Sequence, residues 1–192
     1  GKSTGAQRVY EYKRACRCHG TQDYRCGCAR CSYRYLPGRK NSWKPVHIVV
    51  NDPTTSIRPL IAGYMENPDY EPSMFVDSEQ AKDLVDNNTV VVVVDTNKPS
   101  CTECQDLLYL TKTIVVLDHH RRGNEVIENA VLSYVEPYAS STCEMVAEIL
   151  QYFYDGLRLR SQEADCIYAG IMIDTNNLLQ EQESAPLKLQ LS

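Results

Sequence analysis

The sequence predicts an α/β fold in which a mostly parallel, Rossmann-like sheet carries helices on both faces. Short apolar runs alternate along the chain with segments of helical period, an order typical of strand–helix–strand units. The five consecutive valines at Val90–Val94 predict a strand that is buried on both faces. The chain has 192 residues, of which 43% are hydrophobic, and this is enough for one domain with a substantial core.

The remaining strands and helices can be assigned in chain order. Residues 46–50 form an apolar run that ends at the turn sequence Asn51-Asp52-Pro53, which predicts a short buried strand. Ser141 and Glu144 have the spacing of a capping box, which predicts the start of a helix. Further strands are predicted at 113–117 and Leu132–Val135, and helices at 56–66, 79–85, 104–110, 141–154 and from 161 toward 173.

A step in composition divides the chain near Trp43. Residues 1–44 carry 11 Lys/Arg and 2 Asp/Glu, a net charge of +9, whereas the remaining residues carry 9 and 23, a net charge of −14. We therefore expect a basic, Cys-rich segment at 1–43, a folded domain at 44–177 and a tail at 178–192. No apolar run is long enough to span a bilayer and no signal peptide opens the chain, so we expect a cytoplasmic location.

The basic segment has two interpretations on composition alone. One is a zinc-binding arm that contacts nucleic acid, and the other is solvated charge without fixed structure. The order C-x-C-H followed by C-x-C-x-x-C is not the paired C-x-x-C spacing of zinc ribbons and fingers, so the signal for zinc is weak. The candidate zinc ligands are Cys16, Cys18, His19, Cys26, Cys28 and Cys31.

Acidic and imidazole side chains follow three apolar segments of the predicted domain. Asp95 follows Val90–Val94, Asp118-His119-His120 follows the next strand, and Asp174 follows the apolar segment 169–173. In a parallel sheet such positions gather at one edge, where ligands bind. Carboxylate with imidazole suits a divalent ion such as manganese. Taken singly, an aspartate after a strand is more often a turn former or a helix cap, and that alternative stays open for each residue.

Four motifs occur along the chain, in this order: D-T-N-K-P-S at 95–100, D-H-H-R-R-G at 118–123, P-Y-A-S-S-T at 137–142 and G-I-M-I-D-T at 170–175. Together they resemble the DHH phosphoesterases. Within that superfamily they are most similar to the catalytic domain of membrane-anchored cyclic-di-AMP phosphodiesterases that also carry a GGDEF-like domain. The resemblance covers residues 44–177 and implies a manganese-dependent phosphodiesterase acting on a cyclic dinucleotide.

The resemblance implies roles for individual residues. Asp95 would bridge two manganese ions, and His119 and Asp174 would ligate one of them. His120 would reach the scissile phosphate as a catalytic residue, while Asp118 would orient the histidine pair. The implied reaction is two-metal hydrolysis, in which the ions lower the pKa of a shared water and clamp the phosphoryl oxygens.

Substrate contacts are expected from two further groups. Arg121 and Arg122 offer positive charge to a phosphate, although exposed loop arginines are more often only solvated. Ser140, Ser141 and Thr142 lie at a predicted helix N-terminus, which favours anions, although capping explains Ser141 equally well.

The expected partner is a cyclic dinucleotide or a short oligonucleotide. We expect neither duplex nucleic acid nor a membrane segment in this chain, although the resemblance implies a membrane-anchored parent protein, and a homodimer is left open. An enzyme of the same superfamily acting on oligoribonucleotides or phosphoadenosine phosphate is the nearest alternative. A zinc-dependent nucleic-acid-binding protein is the alternative from another class.

The sequence departs from the family at both ends. The family opens its domain with H-K-x-x-D-x-D, whereas here His19-x-x-x-Asp23 is followed by Arg25 at the place of the second aspartate. Moving the reading frame by one nucleotide over residues 19–43 permits M-G-H-K-T-T-D-A-D, and a shift in the other sense after Asn177 permits the family's continuation. We therefore expect residues 1–43 and 178–192 to be out of frame and to form little packed structure.

These departures have expected consequences for the sheet and for activity. The first strand should be damaged, and the second domain of the family, DHHA1, should be absent. The chain should bind at most one manganese ion instead of two, and its hydrolytic activity should be impaired.

Overall fold

The computed structural model describes residues 16–19, 46–153 and 158–184, with the backbone alone at 16–19, 153 and 176–184. The strands are β1 (Cys16–His19), β2 (Ile48–Val49), β3 (Phe75–Val76), β4 (Val90–Val94), β5 (Thr113–Asp118) and β6 (Leu132–Val135). The α-helices are α1 (Arg58–Glu66), α2 (Ser78–Leu84), α3 (Leu107–Leu110), α4 (Thr142–Phe153) and α5 (Ser161–Ser184), and single 3-10 turns lie at Pro72–Met74 and Pro99–Cys101.

Every strand pairing in these ranges is parallel. The larger sheet has the order β1-β4-β5-β6, and β2 and β3 form a separate two-stranded sheet. The valine run of β4 is central in the larger sheet, because β4 lies between β1 and β5, with Val91 opposite Ile114 and Val93 opposite Val116. The strands predicted at Val90–Val94 and Leu132–Val135 have those same bounds in the structure.

Helices cover both faces of the larger sheet, because successive side chains of a strand point to opposite faces. Val93 and Val116 lie in a core with Leu107 of α3. Leu117, the next residue of β5, packs on the other face against the helices α4 and α5, through Cys143, Val146, Leu150 and Ile167. The predicted α/β class with flanking helices is thereby confirmed.

The expectation of a damaged first strand is wrong for residues 16–19. These residues form β1, which pairs in parallel with β4 from Cys16 opposite Val90 to His19 opposite Val93. The ladder is made by main-chain N–H and C=O groups, so the edge of β4 can be completed by a segment of any side-chain composition that lacks proline. The rest of the segment 1–43 lies outside the described residues.

The boundary expected at Asn177 is not a break in secondary structure. Helix α5 runs from Ser161 through this position to Ser184. Asp174 therefore lies inside a helix, and the apolar residues before it are part of that helix. Helical period and a short apolar run are hard to tell apart over five residues, which is why the sequence left this point unsettled.

Other differences concern short elements. The strand predicted at 46–50 is reduced to Ile48–Val49, and the helix predicted at 104–110 begins only at Leu107. The two-residue strand β3 was not predicted, because two residues carry no periodicity. No helix in the described ranges is both long enough and apolar enough to cross a membrane.

Buried polar contacts fix the first turn of α5 against α1 and the loop that follows it. The hydroxyl of Tyr64 donates to the main-chain oxygen of Gln162 at 3.3 Å, and that of Tyr70 donates to Glu163 Oε1 at 3.1 Å. Burial raises the pKa of Tyr64, so its hydroxyl keeps the proton that it donates. These contacts position the helix that carries Asp174.

Gly170 lies where α5 packs tightly against Cys143 of α4. A Cβ atom at this position would overlap Cys143 Sγ and would lie 3.3 Å from Cys143 Cβ. Gly63, inside α1, offers a contrast, because a Cβ there would meet only the end of the flexible Gln162 side chain at 3.4 Å. Alanine substitutions at the two glycines therefore distinguish the effect of tight packing on stability from the effect of helix propensity.

We expect Gly170→Ala to lower the free energy of unfolding by about 1–3 kcal/mol, the usual cost of overpacking. Gly63→Ala should instead raise it by up to about 1 kcal/mol, because alanine is the better helix former. Urea unfolding followed by circular dichroism measures both changes. Cys143→Ala should relieve the Gly170→Ala variant if the sulfur is the obstacle, and equal effects of the two alanines would contradict this packing.

Candidate metal centre

The C-terminal edge of the larger sheet brings together a carboxylate and two imidazoles. Asp95 follows β4, Asp118 is the last residue of β5, and His119 and His120 come directly after it. Since β4 and β5 are parallel neighbours, their ends meet at one edge. Potential ligand atoms of Asp95, His119 and His120 all lie within 4.8 Å of one another.

Asp95 is held in a sharply turned backbone conformation. Its φ of 68° lies in the left-handed region, which aspartate visits more readily than most residues but which still strains the chain. The residue is 0% exposed, and its main-chain N–H donates to Leu117 O at 2.8 Å. Its Oδ1 accepts a hydrogen bond from Thr142 Oγ1 at 2.8 Å. Asp95 is thus held through both its main chain and its carboxylate.

His119 directs one ring nitrogen toward this carboxylate. Its Nδ1 lies 3.4 Å from the main-chain oxygen of Ala139, and a carbonyl can only accept. A hydrogen bond at this contact requires a proton on Nδ1, and Nε2 faces Asp95 Oδ1 at 3.6 Å. This is the arrangement in which a histidine presents an unprotonated nitrogen to a metal ion.

His120 is held in the same form by Asp118. Its Nδ1 lies 2.7 Å from Asp118 Oδ1, and its main-chain N–H donates to the same oxygen at 3.2 Å. The ring centroids of His119 and His120 are 4.4 Å apart, with planes inclined by 63°. The side chain of His120 is 53% exposed, whereas that of His119 is 15% exposed, so His120 is the more accessible of the two.

Asp118 carries its charge despite full burial. Burial alone would raise the pKa of Asp118, but hydrogen bonds from the ring and the main chain of His120 and from the amide of Asn97 outweigh it. The net effect lowers the pKa of Asp118 below its ordinary value. The structure therefore places Asp118 where it can orient His120, and its part in catalysis stays a prediction.

Asn97 is a site residue that the sequence analysis missed. Its Nδ2 donates to Asp118 Oδ2 and lies 3.4 Å from the main-chain oxygen of His120. The signal that could have found it is its place in D-T-N-K-P-S, two residues after Asp95. An asparagine there is also a common turn residue, and that explanation hid the contact.

The structure revises what was expected of the helix N-terminus at 140–142. Ser141 and Thr142 are each 0% exposed, so neither offers its side chain to a substrate in this conformation. The Thr142 hydroxyl donates to Asp95, and the Ser141 hydroxyl accepts from the N–H of Glu144 at 3.0 Å. Ser140 is only half-buried and stays a candidate for substrate contact.

Only one of the two hydrogen bonds of the capping box predicted for Ser141 and Glu144 forms as expected. Ser141 caps the N–H of Glu144 as predicted, but the Glu144 carboxylate accepts from the N–H and the hydroxyl of Ser140, at 2.9 and 2.6 Å. The hydrogen bonds from Ser140 lower the pKa of Glu144. The start of α4, which carries Thr142, is therefore held by both serines.

Asp174 lies outside the group that converges on Asp95. It is 6% exposed and lies one helical turn after Gly170, on the face of α5 that packs against α4. The group within 4.8 Å instead contains His120, to which the family resemblance gave a phosphate contact. The assignment of Asp174 as a metal ligand stays a prediction.

The predicted phosphate-binding arginines follow the histidine pair in an exposed loop. Arg121 and Arg122 are both exposed, and Arg122 Nη2 donates to Ser133 Oγ at 3.2 Å. Lys98, from the loop after β4, adds a third positive charge, because its Cε atom lies 3.6 Å from where a Cβ atom at Gly123 would be. Positive charge therefore lies beside the more exposed histidine, and its use in substrate binding stays a prediction.

Comparison with known proteins identifies the family. The model of the DHH family, N-terminal domain, matches residues 19–171. The chain belongs to the DHH family. The match begins at His19, inside the segment that was expected to be out of frame, and that expectation stays a prediction.

Similar DHH proteins include two curated relatives. The chain is 48% identical over 99 residues to cyclic-di-AMP phosphodiesterase GdpP of Geobacillus thermodenitrificans, covering 52% of this chain and 15% of that protein. It is 44% identical over 105 residues to the protein of the same name from Bacillus subtilis, covering 55% of this chain and 16% of that protein. The chain thus spans less than a fifth of the length of either relative.

A solved structure supports the fold. The crystal structure of an exopolyphosphatase-related protein from Bacteroides fragilis is similar, with a TM-score of 0.66 and 19% sequence identity. The similarity covers 90% of this chain and 50% of that chain. At this identity the likeness concerns the fold alone.

The contact between Thr142 and Asp95 can be tested directly. We expect Thr142→Val to lower the free energy of unfolding by about 1–3 kcal/mol, because it removes a donor from a buried carboxylate and keeps the volume. Thr142→Ser retains the hydroxyl and should cost less. Chemical unfolding measures both variants, and equal stability of Thr142→Val and wild type would show that the bond does not hold Asp95.

The pairing of Ser140 with Glu144 predicts a pH dependence. The pKa of Glu144 is lower in the folded than in the unfolded chain, so its stabilising contribution is present above the ordinary Glu pKa of about 4.3. That contribution is lost as the pH falls through the folded-state pKa. Ser140→Ala should move the pKa of Glu144 upward, as measured by NMR titration of its carboxyl carbon.

Ser100 and Glu125 provide the matched control. Ser100 donates its N–H and its hydroxyl to Glu125, at 2.8 and 2.7 Å, and these bonds lower the pKa of Glu125 in the same way. Ser100→Ala should therefore raise the pKa of Glu125 and leave that of Glu144 unchanged. A Glu144 pKa that is unmoved by Ser140→Ala would contradict the assignment.

Proposed function

We propose that this DHH domain is a metal-dependent phosphodiesterase that uses manganese and acts on a cyclic dinucleotide. Cyclic-di-AMP is the substrate in the names of the two relatives. The observation that carries the proposal is the convergence of Asp95, His119 and His120 within 4.8 Å at the edge where parallel sheets bind ligands. Family membership supplies the reaction class.

The side chains of the site fit a divalent ion of borderline hardness. The donors are a carboxylate oxygen and imidazole nitrogens, without a thiolate. Both histidines have Nδ1 engaged by an acceptor, Ala139 O in one case and Asp118 in the other, which leaves Nε2 for a ligand. When bound, such an ion supplies Lewis-acid activation of water and neutralises charge on the phosphoryl oxygens.

The two histidine side chains differ in solvent exposure, and this difference favours different roles for them. His119 is largely buried beside Asp95, which suits a residue that holds an ion. His120 is half-exposed and precedes the exposed arginines, which suits a residue that contacts the scissile phosphate. Asp118 fixes the ring of His120, and Arg121 and Arg122 orient the anionic substrate by charge.

Asp174 is proposed as a further ligand that reaches the ion from α5. The residue is buried in the helix face next to α4, whose Thr142 contacts Asp95. A change in the approach of α5 to α4 would therefore alter the distance of Asp174 from the centre. The tight contact at Gly170 therefore helps to set the position of Asp174 relative to the metal centre.

We propose that the chain binds at most one manganese ion and hydrolyses its substrate slowly. In the ranges that the structure describes, one group of three or more ligands converges. The family's first motif supplies ligands of the second ion, and here Arg25 occupies the place of one of them. The cysteines of the alternative zinc arm have side chains outside the described residues, so no structural observation favours that alternative.

Manganese titration of the full chain tests the proposal. Asp95→Asn keeps a residue that tolerates the left-handed backbone but removes the charge. We expect it to weaken manganese binding by at least about 10–100-fold in calorimetric titration, the usual range for perturbing such sites. Asp83→Asn, which removes an exposed charge on α2, is the control and should bind manganese like wild type.

The same preparations can be assayed for hydrolysis of cyclic-di-AMP by chromatography. Slow, manganese-dependent turnover that is lost in Asp95→Asn agrees with the proposal. Manganese binding unaffected by Asp95→Asn would refute the site. Rapid turnover by the unmodified chain would refute the single-ion, impaired form of the proposal while leaving the reaction class intact.

A further inference from the structure

Asn97 joins the loop after β4 to the loop after β5. The residue is 4% exposed, and its Nδ2 donates to Asp118 Oδ2 and approaches the main-chain oxygen of His120 at 3.4 Å. Its own main-chain oxygen accepts from the N–H of Ile127 at 2.9 Å. Both ends of the loop 118–127 are therefore tied to one asparagine.

The direction of the amide is fixed by what it contacts. Asp118 accepts hydrogen bonds from His120 through Oδ1 and from Asn97 through Oδ2. Turning the amide over would place Asn97 Oδ1 against a carboxylate oxygen, so Nδ2 must face Asp118. In this direction Oδ1 is buried, and among the described residues nothing donates to it.

What Asn97 supplies is control of the Asp118 carboxylate. With Oδ2 anchored, the carboxylate cannot rotate about its Cβ–Cγ bond, and Oδ1 stays 2.7 Å from His120 Nδ1. Without the anchor, the carboxylate would be held through Oδ1 alone, by the main-chain N–H and the ring of His120.

We propose that Asn97 is a positioning residue that fixes the Asp118 carboxylate and thereby holds His120 in the Nδ1-protonated form, with Nδ1 directed to Asp118. The consequence for hydrolysis rests on the proposed function. The consequence for the ring of His120 does not, because it follows from contacts within the chain.

The test is the tautomer of His120 in the full chain without added metal. Long-range proton–nitrogen NMR correlations distinguish a ring protonated at Nδ1 from one protonated at Nε2, at a pH where the ring is neutral. The signals are assigned by their loss in His120→Gln. Wild type should show the Nδ1-protonated form. Asn97→Leu, which keeps the branched shape without polar atoms, should show a mixture or the Nε2-protonated form.

Two further variants keep the test decisive. Asn97→Ala also lacks the donor but leaves room for water, so it serves if the leucine variant does not fold. Asn129→Ala is the matched control, because Asn129 Nδ2 likewise donates across the fold, to Leu108 O at 2.7 Å, away from the site. It should lower stability without changing the His120 tautomer.

The outcomes separate this inference from the proposed function. A wild-type tautomer in folded Asn97→Leu or Asn97→Ala overturns the inference. If the tautomer changes and wild type hydrolyses cyclic-di-AMP, the variants should hydrolyse it about 10–100-fold more slowly. If wild type binds no manganese at all, the proposed function fails while the tautomer result still decides the role of Asn97.

Discussion

The site depends on the parallel register of β4 and β5, which brings two strand ends to one edge. At the end of β4, Asp95 turns the chain through a left-handed conformation and keeps its carboxylate buried. Such a conformation persists only where the surroundings hold it. Here the holding groups are Leu117 O, which accepts from the main chain, and Thr142, which donates to the carboxylate. Packing of the core around the valine run therefore helps to set the position of Asp95 Oδ1.

Around this carboxylate, each candidate ligand has a second group that fixes it. Ala139 O engages the ring of His119, and Asp118 engages the ring of His120, so both rings are oriented before any ligand binds. Orientation of this kind lowers the cost of binding, because the side chains have little freedom left to lose. The supporting groups come from β5 and from the loop between β6 and α4. Packing of α4 and α5 on the sheet is thereby part of the site.

Much of this could be predicted from the sequence where the signal was long or repeated. Val90–Val94 had one interpretation, and its end located Asp95 correctly at the sheet edge. The predictions failed where the outcome depended on tertiary contacts. That the Thr142 hydroxyl faces a buried carboxylate and not solvent follows from how α4 docks, and no local pattern encodes it. The pairing of residues 16–19 with β4 was missed because main-chain hydrogen bonding leaves no composition signal.

The most direct test of the centre uses the paramagnetism of manganese on the histidine rings. When manganese is added below one equivalent, it should broaden the ring resonances of His119 and His120 before those of His47. His47 is the internal control, because it precedes β2 and its Nδ1 is engaged by Ser73 O at 2.9 Å. Selective broadening of the adjacent pair, abolished by Asp95→Asn, is the result expected here. Equal broadening of His47, or broadening confined to exposed carboxylates, would contradict a metal centre at this edge.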